Sequence, residues 1–201
     1  DLADRHFTRH CPWPTIRAQW LARFTQAAGA FLAAETGRRA VAHTRLVEQT
    51  GAVTLPATGI VLTCKADRID LTAQDTAVLY DYKTGTVPSK PQQERFDKQL
   101  LLEAAMVERG GFSVIGPRAV DTAAYISIKP DAKITPAPLA DNPTATTIAD
   151  LEKLFAHWQQ VTAGYTARYA LFSKTDTGAY DHLSRFGEWN ISDLPDPTVL
   201  S

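Results

Sequence analysis

The sequence predicts an α/β or α+β layer, with helices packed on a small sheet, and three observations carry that prediction. Apolar residues recur at helical spacing in three separate stretches. Between the first two lie three runs rich in β-branched and apolar residues. A further apolar strand run sits between the second and third helices, so the order is helix, three strands, helix, strand, helix.

The first helix is expected over Thr15–Glu35. Thr15 is placed to cap it, Ile16, Trp20, Phe24, Ala27, Ala28 and Phe31 share a stripe, and Gly37 is placed to end it. Leu46–Leu55, Gly59–Leu71 and Ala77–Lys83 read as strands, joined between the last two by the polar turn Thr72–Thr76, which suggests an antiparallel meander. Ala77–Tyr80 is apolar on both faces, so the third strand is expected to be central. Pro88-Ser89-Lys90-Pro91 reads as a loop, and Phe96–Arg109 as a helix stopped by Gly110-Gly111. Ala123–Ile128 is the fourth strand, and the proline-bearing stretch 129–146 a long loop. Thr147–Ala170 reads as a helix with Leu151, Leu154, Phe155, Trp158, Val161 and Tyr165 on one stripe. From Phe172 the chain shows little periodicity.

Composition narrows the class. With 44% hydrophobic and 21% charged residues, the chain is a globular domain rather than a disordered segment. No apolar run approaches the roughly 18 residues of a membrane span, and no leader is visible, so a cytoplasmic protein is expected. A start at Asp1 rather than methionine suggests a piece of a longer protein. Cys11 and Cys64 lack a C-x-x-C spacing and are expected to stay reduced. Two thiols fall short of an iron–sulfur ligand set, so no such cluster is expected. Lysine plus arginine is 21 against 22 acidic residues, which does not advertise nucleic acid; a DNA-acting domain of this charge needs a local basic patch or neighbours.

The chemistry concentrates in two strands. Asp81 and Lys83 are two apart, so both side chains leave one face. If the second and third strands form a hairpin, its centre falls at Gln74, midway between residues 67 and 81. Asp67 then lies opposite Asp81, with Cβ atoms about 4.5–5.5 Å apart. Two carboxylates on one face repel unless something positive lies between them. Lys83 supplies one charge and a hard divalent cation the other, because Mg²⁺ is typically held by one or two carboxylates and keeps its waters. An ordinary exposed ion pair is the competing reading, and the buried setting of the strand weighs against it. Asp70 points to the other face and is expected to pair structurally with Arg68 or Arg45. His6, His10 and His43 read as surface histidines, and Trp13, Trp20, Trp158 and Trp189 as packing residues.

Ala66-Asp67-Arg68-Ile69-Asp70, then Leu79-Tyr80-Asp81-Tyr82-Lys83-Thr84-Gly85, then Gln99-Leu100-Leu101-Leu102-Glu103 resembles the PD-(D/E)XK nucleases of the RecB type. The nearest likeness is to the C-terminal nuclease domains of AddB-type double-strand-break-repair subunits. It covers roughly residues 15–130, and the tail Tyr180–Trp189 also looks similar to the end of such chains. The resemblance implies a restriction-endonuclease-like core over about 15–130, a small mixed sheet flanked by helices, with an extra C-terminal helix in a helical extension over 147–201. All of 1–201 would be a single nuclease domain, acting on unwound DNA with Mg²⁺ or Mn²⁺. Asp67 and Asp81 would be metal ligands, the Tyr82 backbone carbonyl a third, and Lys83 the catalytic lysine. Gln99 would steady the site or touch DNA, with Lys90 and Lys98 meeting the phosphate backbone. The family usually has tyrosine where this chain has Glu103. No Gly-x-x-x-His element supplies the early-helix ligand, leaving Glu35 and Glu48 as substitutes. The implied partners are DNA, a helicase portion of the same chain and an AddA-like subunit. A catalytically silent, DNA-guiding scaffold is the alternative reading. A stand-alone CRISPR-associated nuclease is a weaker one, opposed by the absent four-cysteine set.

Overall fold

The structure is a computed structural model that describes residues 2–163, 178, 180–190 and 192–193. Residues 1–151 form one compact unit and residues 152–201 a second. Ten elements follow in chain order: α1 Leu2–His10, α2 Pro14–Val41, β1 Ala42–Thr54, β2 Val61–Thr72, β3 Ala77–Lys83, α3 Lys90–Arg95, α4 Gln99–Glu108, β4 Val120–Ser127, β5 Ile134–Pro136 and α5 Thr144–Trp158. The five strands make one mixed sheet in the order β1-β2-β3-β4-β5, with β3 at its centre as expected.

α2 starts at Pro14, whose fixed φ and missing N–H suit a first helical turn. Gly37 does not end it. The helix runs on to Val41, because Glu35 bonds Arg38 and Arg39 across that turn, and both arginines favour the negative end of the helix. β1, β2 and β3 form the expected antiparallel meander. The turn to β3 closes by the Thr72 N–H donating to the Thr76 carbonyl. Asp75 takes a φ of 62° there, a left-handed geometry that aspartate tolerates better than most residues. The register pairs Arg68 with Tyr80 and Ile69 with Leu79, which centres the hairpin on Gln74.

The segment from Pro88 to Arg109 differs from expectation. Ser89 and Gln92 form a capping box and Pro91 sits in the first turn, so Lys90-Pro91 open α3, while Pro88-Ser89 remain loop as read. The helix read over Phe96–Arg109 is α4, which starts three residues later at Gln99; Phe96 is instead the exposed C-cap of α3. Gly110-Gly111 stops α4 as predicted. Gly110 has φ 74°, and the Gly111 N–H donates back to the Met106 carbonyl, a Schellman closure.

β4 runs parallel to β3, so α3 and α4 form the crossover. The expected loop 129–146 contains β5, which adds three residues antiparallel to β4. α5 starts at Thr144 and ends at Trp158, short of the helix read over Thr147–Ala170; Val161 is exposed, while Tyr165 and Phe172 lie outside the described residues. The core fills one sheet face: Ile69, Leu71 and Leu79 meet Leu100, Leu101 and Met106 of α4. No helix among the described residues is long and apolar enough to cross a membrane.

A Cβ at Gly111 would sit 2.7 Å from Val53 Cγ2 and 3.0 Å from the Met106 carbonyl oxygen. Gly111→Ala is expected to lower the urea unfolding free energy by about 1–3 kcal/mol, the usual cost of overpacking.

Candidate metal centre

The ladder between β2 and β3 stops at Arg68–Tyr80. One step beyond, Asp67 and Asp81 are opposite, and a side chain replaces the backbone partner: the Tyr82 N–H donates to Asp67 Oδ2 at 2.9 Å. Strand parity sets the two faces. Asp67, Asp81 and Lys83 share the α4 face with Ile69 and Leu79, while Arg68, Asp70, Tyr80 and Tyr82 face the other way.

Asp81 is only 3% exposed. Its Oδ1 accepts from Gln99 Nε2 at 2.7 Å, and its Oδ2 lies 2.9 Å from the Lys83 ammonium. Lys83 also donates to Gln99 Oε1 at 3.2 Å and sits 5.3 Å from the centre of the Tyr125 ring. Burial pushes the Asp81 carboxyl above its ordinary range, and the Asp67 charge pushes the same way; Lys83 and Gln99 pull against both. Although the ammonium is close, no well-directed hydrogen bond reaches the buried Asp81 Oδ2.

Glu103 joins this group. It is 4% exposed, and its Oε1 accepts from Gln99 Nε2 at 3.1 Å. Burial, followed by the charges of Asp81 and Asp67, raises its carboxyl to about 7 against a Gln99 bond that lowers it. The same Glu103 charge, after burial, lifts the Cys64 thiol to about 12. The sequence held the signal for Glu103: it lies one helical turn after Gln99, so the two share a face.

The other candidate carboxylates are engaged elsewhere. Glu35 is on α2, against the opposite face of the sheet, where it accepts from Arg68 Nη1 at 2.7 and 2.8 Å and from Arg38 and Arg39. Burial raises its carboxyl, and the arginine bonds outweigh that to hold it at about 2. Glu35 therefore does not join Asp67 and Asp81: three guanidinium groups hold it behind the sheet. Glu48 has φ 51° and pairs with Lys65. Asp70 is fully buried and takes Arg68 Nε at 2.6 Å, so Arg68 rather than Arg45 is its partner. Lys90 is held by Asp141 at 2.6 Å, whereas Lys98 caps α4 beside Gln99.

An open cleft of about 270 Å³ lies beside the Lys83 ammonium, lined by Thr86, Pro88, Asp97, Gln99 and Tyr125 among others. The donor set suits a hard divalent cation: two facing carboxylates, one with a buried oxygen met by the Lys83 ammonium but by no well-directed hydrogen bond, and space for water. Among the described residues no three His, Cys, Asp or Glu side chains converge as a preformed cage.

The sequence profile of the PD-(D/E)XK nuclease superfamily matches residues 1–178. An uncharacterized protein of Rickettsia bellii (strain RML369-C) is 31% identical over 98 residues, which cover 47% of this chain and 12% of that protein.

Two pH dependences follow from these carboxyls. Glu35 titrates in the fold at about 2, below its ordinary 4.5, so its bonds contribute fully above pH 4.5 and are lost as pH falls towards 2. Glu35→Gln is expected to cost about 1.5–3 kcal/mol at neutral pH and to flatten the acid limb of the urea midpoint plotted against pH. Glu103 is shifted the other way, to about 7, so the metal-free fold loses stability as pH rises from 4.5 through 7. Glu103→Gln should remove that slope when the midpoint is measured in EDTA.

Proposed function

This chain belongs to the PD-(D/E)XK nuclease superfamily, whose members use divalent metals, and on that premise we propose that it is a Mg²⁺- or Mn²⁺-dependent DNA nuclease domain. The observation that carries the proposal is the convergence of Asp67, Asp81, Lys83 and Gln99 at the end of the central strand. Asp67 and Asp81 are the side chains that would hold the ion, with the Tyr82 carbonyl as a third oxygen. When bound, a divalent cation supplies polarisation of a phosphoryl oxygen and a lower pKa for water.

The chain's own residues do the rest. Lys83 brings a positive charge to the cleft, where it offsets charge that builds on the phosphate as water attacks. The Gln99 amide fixes both partners, donating to Asp81 and accepting from Lys83. Glu103 keeps Gln99 from rotating by taking the same amide nitrogen. Lys98 is the better placed of the two lysines for a DNA backbone, since Lys90 is spent on Asp141.

The wider setting is part of the proposal. The motif order favours an AddB-like place in a cytoplasmic double-strand-break-repair complex, with a helicase portion of the same chain and an AddA-like subunit. All of 1–201 then serves as one nuclease domain. The Rickettsia match covers only a small part of a much longer protein, which agrees with a domain inside a larger chain. The rival reading is a DNA-guiding scaffold that no longer cuts. It draws on the lack of a three-ligand cage among the described residues.

Incubation with single-stranded DNA and Mg²⁺ or Mn²⁺ is expected to give cleavage that EDTA abolishes. Lys83→Ala should lower kcat by about 10²–10³, and Asp81→Ala should eliminate cleavage with far-UV circular dichroism unchanged. Undiminished cleavage by Asp81→Ala sinks the assignment. Asp67-dependent Mn²⁺ binding by calorimetry excludes the scaffold, and its absence together with no cleavage favours it.

A further inference from the structure

The least ordinary surface outside the metal centre lies on α1 and the first half of α2. Trp13, Trp20 and Phe24 are 63%, 54% and 44% exposed, so Trp13 and Trp20 are not the packing residues their type suggests. Positions 17, 20 and 24 recur at helical spacing along α2, and Trp13 stands at its N-cap. The rings are braced: Phe7 of α1 meets Trp20 edge-on at 6.4 Å and Phe24 at 6.0 Å.

Charge decides what such a stripe suits. Residues 2–34 hold four arginines against the single aspartate Asp4, in a chain of net charge −1. Arg5, Arg9 and Arg23 are exposed, and Arg17 interrupts the aromatic row. No ion pair neutralises any of the four among the described residues. Rings and arginines also occur together at protein interfaces, but four cations without a neutralising partner around them favour a polyanion. Rings alternating with arginines match the two needs of an unpaired strand, faces for bases and cations for phosphates.

We infer that this face is a stacking platform for single-stranded nucleic acid, with bases on Trp13 and Trp20 and phosphates on Arg17 and Arg23. It deepens the nuclease reading, on which its purpose rests. α2 runs without a break from the stripe to Glu35 and its bonds behind β2. Trp20 lies roughly 22 Å along the helix from Glu35 at 1.5 Å per residue, and Glu35 ties that helix through Arg68 to β2, the strand that carries Asp67.

The test is fluorescence anisotropy of a labelled oligo-dT in EDTA, where cleavage cannot occur and a failed nuclease reading leaves the result untouched. Trp13→Ala is expected to weaken binding roughly tenfold, as loss of one stacked base does. An oligomer with abasic residues should lose more than that against the parent chain, because the Trp20 stack goes as well, and a smaller factor against Trp13→Ala, which has only the Trp20 stack left to lose. Arg23→Gln should lower the slope of log affinity against log salt by about 0.7. Equal affinity of parent and Trp13→Ala, equal affinity for dT and abasic oligomers, or no binding by the parent overturns the inference and leaves the face to a protein partner. Circular dichroism checks that Trp13→Ala folds; if it does not, the abasic oligomer and Arg23→Gln decide.

Discussion

The Arg68 guanidinium is the constraint on which the site depends. It grips Asp70 on its own strand, Glu35 on α2 and the Tyr82 hydroxyl on β3. A buried guanidinium is tolerable only with this many acceptors, since an unpaired one costs several kcal/mol. Once satisfied, it fixes three elements relative to each other. Tyr82 lies between Asp81 and Lys83 in sequence, and its ring also meets Phe31 of α2 at 5.9 Å. Arg68 thus holds, from behind, the strand whose front face carries the carboxylate and the ammonium.

The front face balances opposing charges around one amide. Three carboxylates, Asp67, Asp81 and Glu103, crowd one lysine. Burial raises the cost of the negative charge on Asp81 and Glu103, and Gln99 is polar in the one orientation that serves all its neighbours: its nitrogen meets two carboxylates and its oxygen meets the ammonium. Such a cluster stores electrostatic repulsion that an added cation relieves.

Much of this was legible in the sequence. The register of β2 and β3 followed from a polar turn centred on Gln74, because a period of two leaves little freedom once the turn is known. The central place of β3 followed from apolar residues on both faces. The hidden parts are long-range. Nothing local announces that Glu35 reaches Arg68 thirty-three residues away, so a buried tether was open to reading as a metal ligand. The break between α3 and α4 was masked because Phe96 keeps the helical period although it is an exposed cap. β5 is too short to carry a periodic signal. Glu103 stood out only as a departure from the family pattern, and its role depends on burial that three-dimensional packing alone reveals.

The sheet ends differently on its two sides. β5 has three residues and closes on Pro136, which cannot donate a ladder bond. β1 is long, yet its pairing shifts between Thr44 and Leu46 and its backbone turns left-handed at Glu48. Neither border offers a long, flat row of main-chain donors and acceptors to a neighbouring molecule. At high concentration the chain should therefore meet other copies through its side chains, and extended cross-strand association, the usual route from exposed sheets to fibres, has no clean starting edge.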